Sequence, residues 1–125
     1  MTNACTIPNL PGYEDVRDLI PGGSFMHCTV VWRLSLEFYH DEVKGLGRRL
    51  VLELVGDLED FAADRVAVIL EEPEQISWPD SWQILGLDFK DIRDQGWDRL
   101  RWRVYDYEMS GFAAYCSSIR LERRA

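Results

Sequence analysis

His40, Asp41 and Glu42 stand side by side, and imidazole and carboxylate are both common metal ligands. A metal site needs three or four groups that converge. The only other histidine is His27, on the face opposite Cys28 if that stretch is a regular strand. A polar turn with a histidine in it is the ordinary reading of the triplet, and neither metal nor cofactor is expected. Of the three cysteines, Cys28 and Cys116 fall in strand-like stretches. A catalytic thiolate needs a histidine or a cation beside it to lower its pKa. Neither residue sits in a nucleophile motif, so both read as buried structural thiols, and Cys5 reads as exposed and without a role. Asp88, Asp91, Asp94 and Asp98 would line one face of a helix. Calcium loops instead place their ligands two apart, with a glycine at the sixth position, so this run reads as a solvated turn. Neither a phosphate-binding glycine loop nor a paired-carboxylate signature is found. No catalytic residue is assigned, and an enzyme is not expected.

Arg99, Arg101 and Arg103 form a ladder followed on the same face by Tyr105 and Tyr107. Arginines interleaved with aromatics can hold single-stranded nucleic acid. In a chain of net charge −8, these arginines are expected to pair with carboxylates on adjacent strands instead. The acidic excess is concentrated. Residues 53–80 hold nine acids and one base, Arg65, while the segments on either side are nearly balanced. Such a chain is a poor general binder of DNA or of membrane phosphates, and a basic protein partner is favoured. Within this segment Asp57, Glu59, Asp60, Asp64, Glu71, Glu72 and Glu74 are followed by Trp78 and Trp82. Exposed aromatics next to acids make binding hot spots, and these nine residues are the candidate partner-binding set. The competing reading is a solvated surface with both tryptophans packed in the core.

The elements that must position these groups are mostly strands. The clearest is a hairpin over 98–122. Leu100, Trp102 and Val104 alternate with Arg99, Arg101, Arg103 and Tyr105, Met109–Gly111 make the turn, and Phe112–Leu121 return. Phe25–Tyr39 is the longest strand candidate, with Cys28, Val30, Trp32, Leu34, Leu36 and Phe38 on the core face. A strand this long is expected to bend or to carry a bulge. Further strands are expected over Leu50–Val55, Arg65–Glu72 and Trp82–Phe89, and one helix over Gly12–Ile20 that Pro21, Gly22 and Gly23 terminate. Trp32 and Trp102 are both expected to be buried. Successive strands with short connections predict a mainly β single domain over 1–125. It would be an antiparallel meander closed as a barrel or folded as a two-layer sandwich, with one short N-terminal helix and a loose segment at 1–11.

A chain of 125 residues with 46% hydrophobic content can bury a real core within one domain. No window approaches a membrane span. The first ten residues lack the features of a signal peptide, and three cysteines fit reduced thiols, so a cytoplasmic location is expected.

The run Gly86-Leu87-Asp88, then Gln95-Gly96-Trp97, then Arg103-Val104-Tyr105-Asp106-Tyr107-Glu108, ending in Tyr115-Cys116, resembles small β-rich bacterial proteins of unknown function. These include immunity proteins of polymorphic toxin systems. The resemblance covers about a third of the chain and carries no catalytic motif. It implies a protein that binds and blocks a cognate toxin, in many cases through an acidic face. A small-ligand-binding β-barrel is the alternative, motivated by the many aromatics on strand faces.

Overall fold

The computed structural model describes residues 7–43, 45–56, 64–96, 98–108 and 110–125. Eight strands follow one another: β1 (Val30–Asp41), β2 (Gly45–Val55), β3 (Arg65–Glu71), β4 (Glu74–Ser77), β5 (Leu87–Asp91), β6 (Trp102–Asp106), β7 (Ala113–Cys116) and β8 (Ser118–Arg124). They make two antiparallel four-stranded sheets, ordered β1-β2-β3-β8 and β4-β7-β6-β5. The sheets do not close into a barrel; the sandwich form of the sequence expectation holds and the barrel form does not.

Alternation explains the pairing. Leu34, Leu36 and Phe38 of β1 face Leu52, Leu50 and Arg48 of β2, and Leu50, Leu52 and Leu54 share a fully buried face with Val66, Val68 and Leu70 of β3. Against that face the second sheet places Phe89, Val104, Ala114 and Cys116, all fully buried. Each large aliphatic side chain removed from water in this way contributes about 1.5–3 kcal/mol.

The chain changes sheets at two corners that lie against each other. After Glu71 it turns at Glu72, whose φ is +50°, and Pro73, so the stretch that follows enters the second sheet as β4. The arm expected to run unbroken over Phe112–Leu121 likewise divides at Ser117, β7 staying in one sheet and β8 crossing to the other. The Ser117 backbone N–H and its hydroxyl both donate to the Glu71 carbonyl, at 3.0 and 3.2 Å.

The N-terminal segment seals the β8 edge. Leu121 donates its N–H to the Pro11 carbonyl at 2.7 Å. Gly12 has φ +88°, and a Cβ there would lie 1.8 Å from the Leu121 oxygen, so only glycine can pass this point. The expected helix is a single turn, α1 (Tyr13–Val16). Tyr13 donates its hydroxyl to the Ile20 carbonyl at 3.1 Å and accepts the Gly23 N–H at 3.2 Å. That clamp holds Val16 and Ile20 in the core.

Trp32 is not a core residue. A bulge between Val31 and Arg33 sets two residues of β1 opposite Glu53. It turns the Trp32 ring to the outer face, 36% exposed, with the Arg65 guanidinium 5.1 Å from the ring centre. Re-aiming a side chain is what an extra residue in a strand does. Trp102 is half-buried and packs against the main core. On the outer face of the first sheet Val51, Ala67 and Ile69 form a second buried cluster, flanked by charge at both ends. Glu53, 2% exposed, accepts from Arg65 Nε at 2.8 Å and Arg124 at 3.5 Å. Glu71 pairs with Arg120, lies 3.6 Å from Arg49 and accepts the Tyr39 hydroxyl at 3.0 Å.

Candidate partner-binding face

Residues 78–86 carry the chain from β4 in one sheet to the edge of β1 in the other and back to β5. Part of this stretch was expected to be a strand over Trp82–Phe89. The strand instead begins at Leu87, and what precedes it is a pinned crossing. At its start Ser77 Oγ donates to the Gly111 carbonyl at 2.8 Å, and the Asp80 N–H donates to the Ser110 carbonyl at 2.7 Å. At its far side Val31 donates to the Trp82 carbonyl, and Ile84 donates to the Thr29 carbonyl, both at 2.8 Å. Ile84 is fully buried and anchors the crossing in the core. With backbone and anchor committed inward, the large side chains on either side are left in solvent. Trp78 is 52%, Trp82 61% and Leu85 59% exposed.

The third side of this surface is the β6–β7 turn, shaped by one carboxylate. Asp106 is buried. Its Oδ1 accepts the N–H of Gly86 at 3.0 Å and of Glu108 at 2.9 Å, and its Oδ2 accepts the Ser110 N–H at 3.3 Å and the Ser110 hydroxyl. Four donors satisfy the lone pairs of an ionised carboxylate, so burial without a cation is tolerable. Tyr107 returns its N–H to the Gly86 carbonyl at 3.0 Å. A Cβ on Gly86 would come within 2.7 Å of Glu108 Cγ and 2.9 Å of the Tyr107 ring. Gly86 and Asp106 therefore bring the turn down onto the crossing and fix Tyr107, 63% exposed, close to Leu85. Leu85, Tyr107, Met26 and Asp88 line a surface groove of about 340 Å³.

Three carboxylates lie in or beside these segments. Asp80 lies between the two tryptophans in sequence, Glu108 faces the crossing beside Leu85, and Asp88 accepts the Tyr105 hydroxyl at 3.2 Å. Burial and the Asp88 charge push the Tyr105 hydroxyl above its usual pKa. Among the described residues none of the three acids makes an ion pair.

The sequence-derived set divides. Trp78 and Trp82 are on this face, exposed. Asp57, Glu59 and Asp60 lie outside the described residues. Asp64 pairs with Arg123 at 2.6 Å, and Glu71 is held among Arg120, Arg49 and Tyr39 on the outer face of the first sheet, so both are engaged by the protein's own cations. Glu72 sits half-buried at the corner, and Glu74 in β4 lies 3.7 Å from Arg99. Proximity in sequence to the tryptophans did not bring Asp64 and Glu71 to this face, because the corner at Glu72–Pro73 leaves them with the first sheet while the tryptophans follow β4. Leu85, Tyr107, Glu108 and Met26 belong to the face and were missed. The available signal was Tyr107-Glu108, which extends the alternation of β6 beyond the last residue that the core can cover.

The residues singled out for chemistry do not assemble. Among the described residues no group of three or more His, Cys, Asp or Glu could hold a metal ion. His40 is exposed, and Asp41 Oδ1 accepts the Val43 N–H at 2.8 Å in the hairpin turn. Asp91 is bound by Arg93, whose hydrogen bonds lower its pKa. Cys28 and Cys116 are free, buried thiols. Burial raises both, and at Cys116, with the Glu71 charge adding to it, the value reaches about 12. The arginine ladder pairs only in part: Arg99 lies near Glu74, while the Arg103 guanidinium stacks 4.3 Å from the Tyr105 ring centre. No helix of the described residues is long and apolar enough to cross a membrane. Comparison with protein-family models, with curated proteins and with solved structures gives no match.

Proposed function

We propose that this chain is a non-catalytic protein-binding module of the immunity type, which holds and blocks a basic toxin domain in the cytoplasm. The observation that carries the reading is the exposed group Trp78, Trp82, Leu85 and Tyr107 on a backbone pinned at both ends, with Asp80, Asp88 and Glu108 in or beside the same segments and in no ion pair among the described residues. Rigid aromatics lose little entropy on binding and dominate interface energies, and unpaired carboxylates at the rim steer a basic partner. The resemblance of the 86–116 region to immunity proteins agrees with this, and so do the free thiols, which fit a reducing compartment. The acidic set is revised accordingly. Asp80, Asp88 and Glu108 take the steering role, and Asp64 and Glu71 are left to structure.

The experiment is association kinetics with a partner captured from the source cell. The on-rate should fall as salt is raised, because screening shortens the reach of the rim charges. An Asp80→Asn, Glu108→Gln double variant should associate more slowly and show a flatter salt dependence. An on-rate indifferent to both changes contradicts the proposal.

A further inference from the structure

β1 is an outer strand of its sheet. Among the described residues its free edge is covered only at one end, where the Trp82 carbonyl and the Ile84 N–H bond to Val31 and Thr29. From Arg33 to Asp41, no described residue pairs with it on that side. A strand edge of this length is a template for another strand. The β1–β2 hairpin also overhangs the second sheet. Leu36 and Phe38 of β1 and Leu46 of β2 face inward in register with the core leucines, yet Phe38 is 61% and Leu46 71% exposed. Large apolar side chains left this exposed on an inward face mark a place where something docks.

We propose that this edge pairs with the same edge of a second copy, joining the two β1–β2–β3–β8 sheets into one eight-stranded sheet. The free edge is bounded by the Trp82 cover before Arg33 and by the hairpin turn after Asp41. A two-fold antiparallel pairing that uses all of it must centre on Glu37. In that register the edge is largely its own complement, as a two-fold interface requires. On the outer face Arg33 meets Asp41 of the second copy, and Ser35 meets Tyr39 of the second copy. On the inner face Leu36 meets Phe38 of the second copy, so the two apolar side chains of the overhang cover each other. Arg33 has no ion pair among the described residues, so a carboxylate from the second copy supplies one. One pairing is unfavourable. Glu37 meets Glu37 of the second copy on the axis, and like charges directly opposite destabilise a strand pair. Arg49, in register with Glu37 on β2, offsets part of that repulsion. The association is therefore a weak one that depends on concentration.

The test uses the full chain with Cys5→Ser, so that Cys28 and Cys116, both buried, are the only native thiols. Facing Cα atoms in an antiparallel pair lie about 4.5–5.5 Å apart, within disulfide range. A residue on the axis can bond to its own copy, whereas one two positions away is separated from its copy by about 13 Å. Glu37→Cys should form a dimer under mild oxidation and Ser35→Cys should not. In sedimentation, the wild-type chain should show a monomer–dimer equilibrium that Glu37→Gln tightens severalfold and Phe38→Glu abolishes. Equal cross-linking at 35 and 37, or none at 37, overturns the two-fold register. A chain that stays monomeric with both Glu37 and Gln at position 37, or an edge occupied instead by a strand of a different protein, overturns the proposal.

Discussion

Asp106 does the work of several residues. A single buried carboxylate gathers four donors from Gly86, Glu108 and Ser110 and thereby sets where Tyr107 and Glu108 stand. Asp106→Ala would strand buried N–H groups and should cost roughly 3 kcal/mol, while Asp106→Asn, which keeps one oxygen acceptor, should cost less. Urea unfolding measures both, and an unchanged midpoint for the alanine variant contradicts the assignment. Asp106 was legible in the sequence only as part of a motif. Nothing in its spacing showed that the chain at Gly86 would fold back onto it. The buried thiol Cys116 gives a second residue-scale expectation. Its pKa is raised to about 12 in the folded chain, above its value in the unfolded one, so the folded state keeps its proton longer. Its contribution to stability is full below about pH 9 and is lost as pH rises from there toward about 12. Cys116→Ala should remove that part of the alkaline decline. Thiol labelling of the native chain at neutral pH should be slow at this position.

At the scale of elements, alternation was the most reliable guide, and it failed where the chain changes phase. Leu50, Leu52, Leu54 and Val66, Val68, Leu70 read correctly because those strands are regular. The β1 pattern was read in a single phase from Phe25. The bulge before Arg33 inserts one residue, and a single insertion moves a side chain to the other face. A bulge at some point was expected, but its position was not marked by any glycine. The division at Ser117 did leave a trace. Phe112, Ala114 and Cys116 are core residues at even positions, and Ile119 and Leu121 at odd ones. A change of phase between two inward-facing runs is what a corner between sheets produces. These face assignments are testable by contrast. Phe89→Ala, in the centre of the core, should cost about 3–5 kcal/mol. Trp32→Ala, half in solvent and stacked on Arg65, should cost well under half of that. Equal losses in thermal or chemical unfolding would return Trp32 to the core.

For the molecule as a whole, the net charge of −8 motivates the proposal of a basic partner but does not locate the surface it would use. Much of the acidity in 53–80 is either neutralised on the outer face of the first sheet, as at Glu53 and Glu71, or lies outside the described residues. The exposed aromatic surface is formed by segments distant in sequence, 78–86 and 107–108, that meet because the chain crosses between sheets there. Composition cannot report such a meeting, and the two tryptophans were the part of it that sequence reasoning reached. The most direct test is the dissociation rate of the captured partner from Trp82→Ala compared with the wild-type chain. A hot-spot aromatic carries at least about 2 kcal/mol, which corresponds to dissociation roughly thirtyfold faster with the fold intact. Dissociation from Trp82→Ala and from Trp78→Ala at the wild-type rate would contradict the account, and the face would be no more than exposed surface.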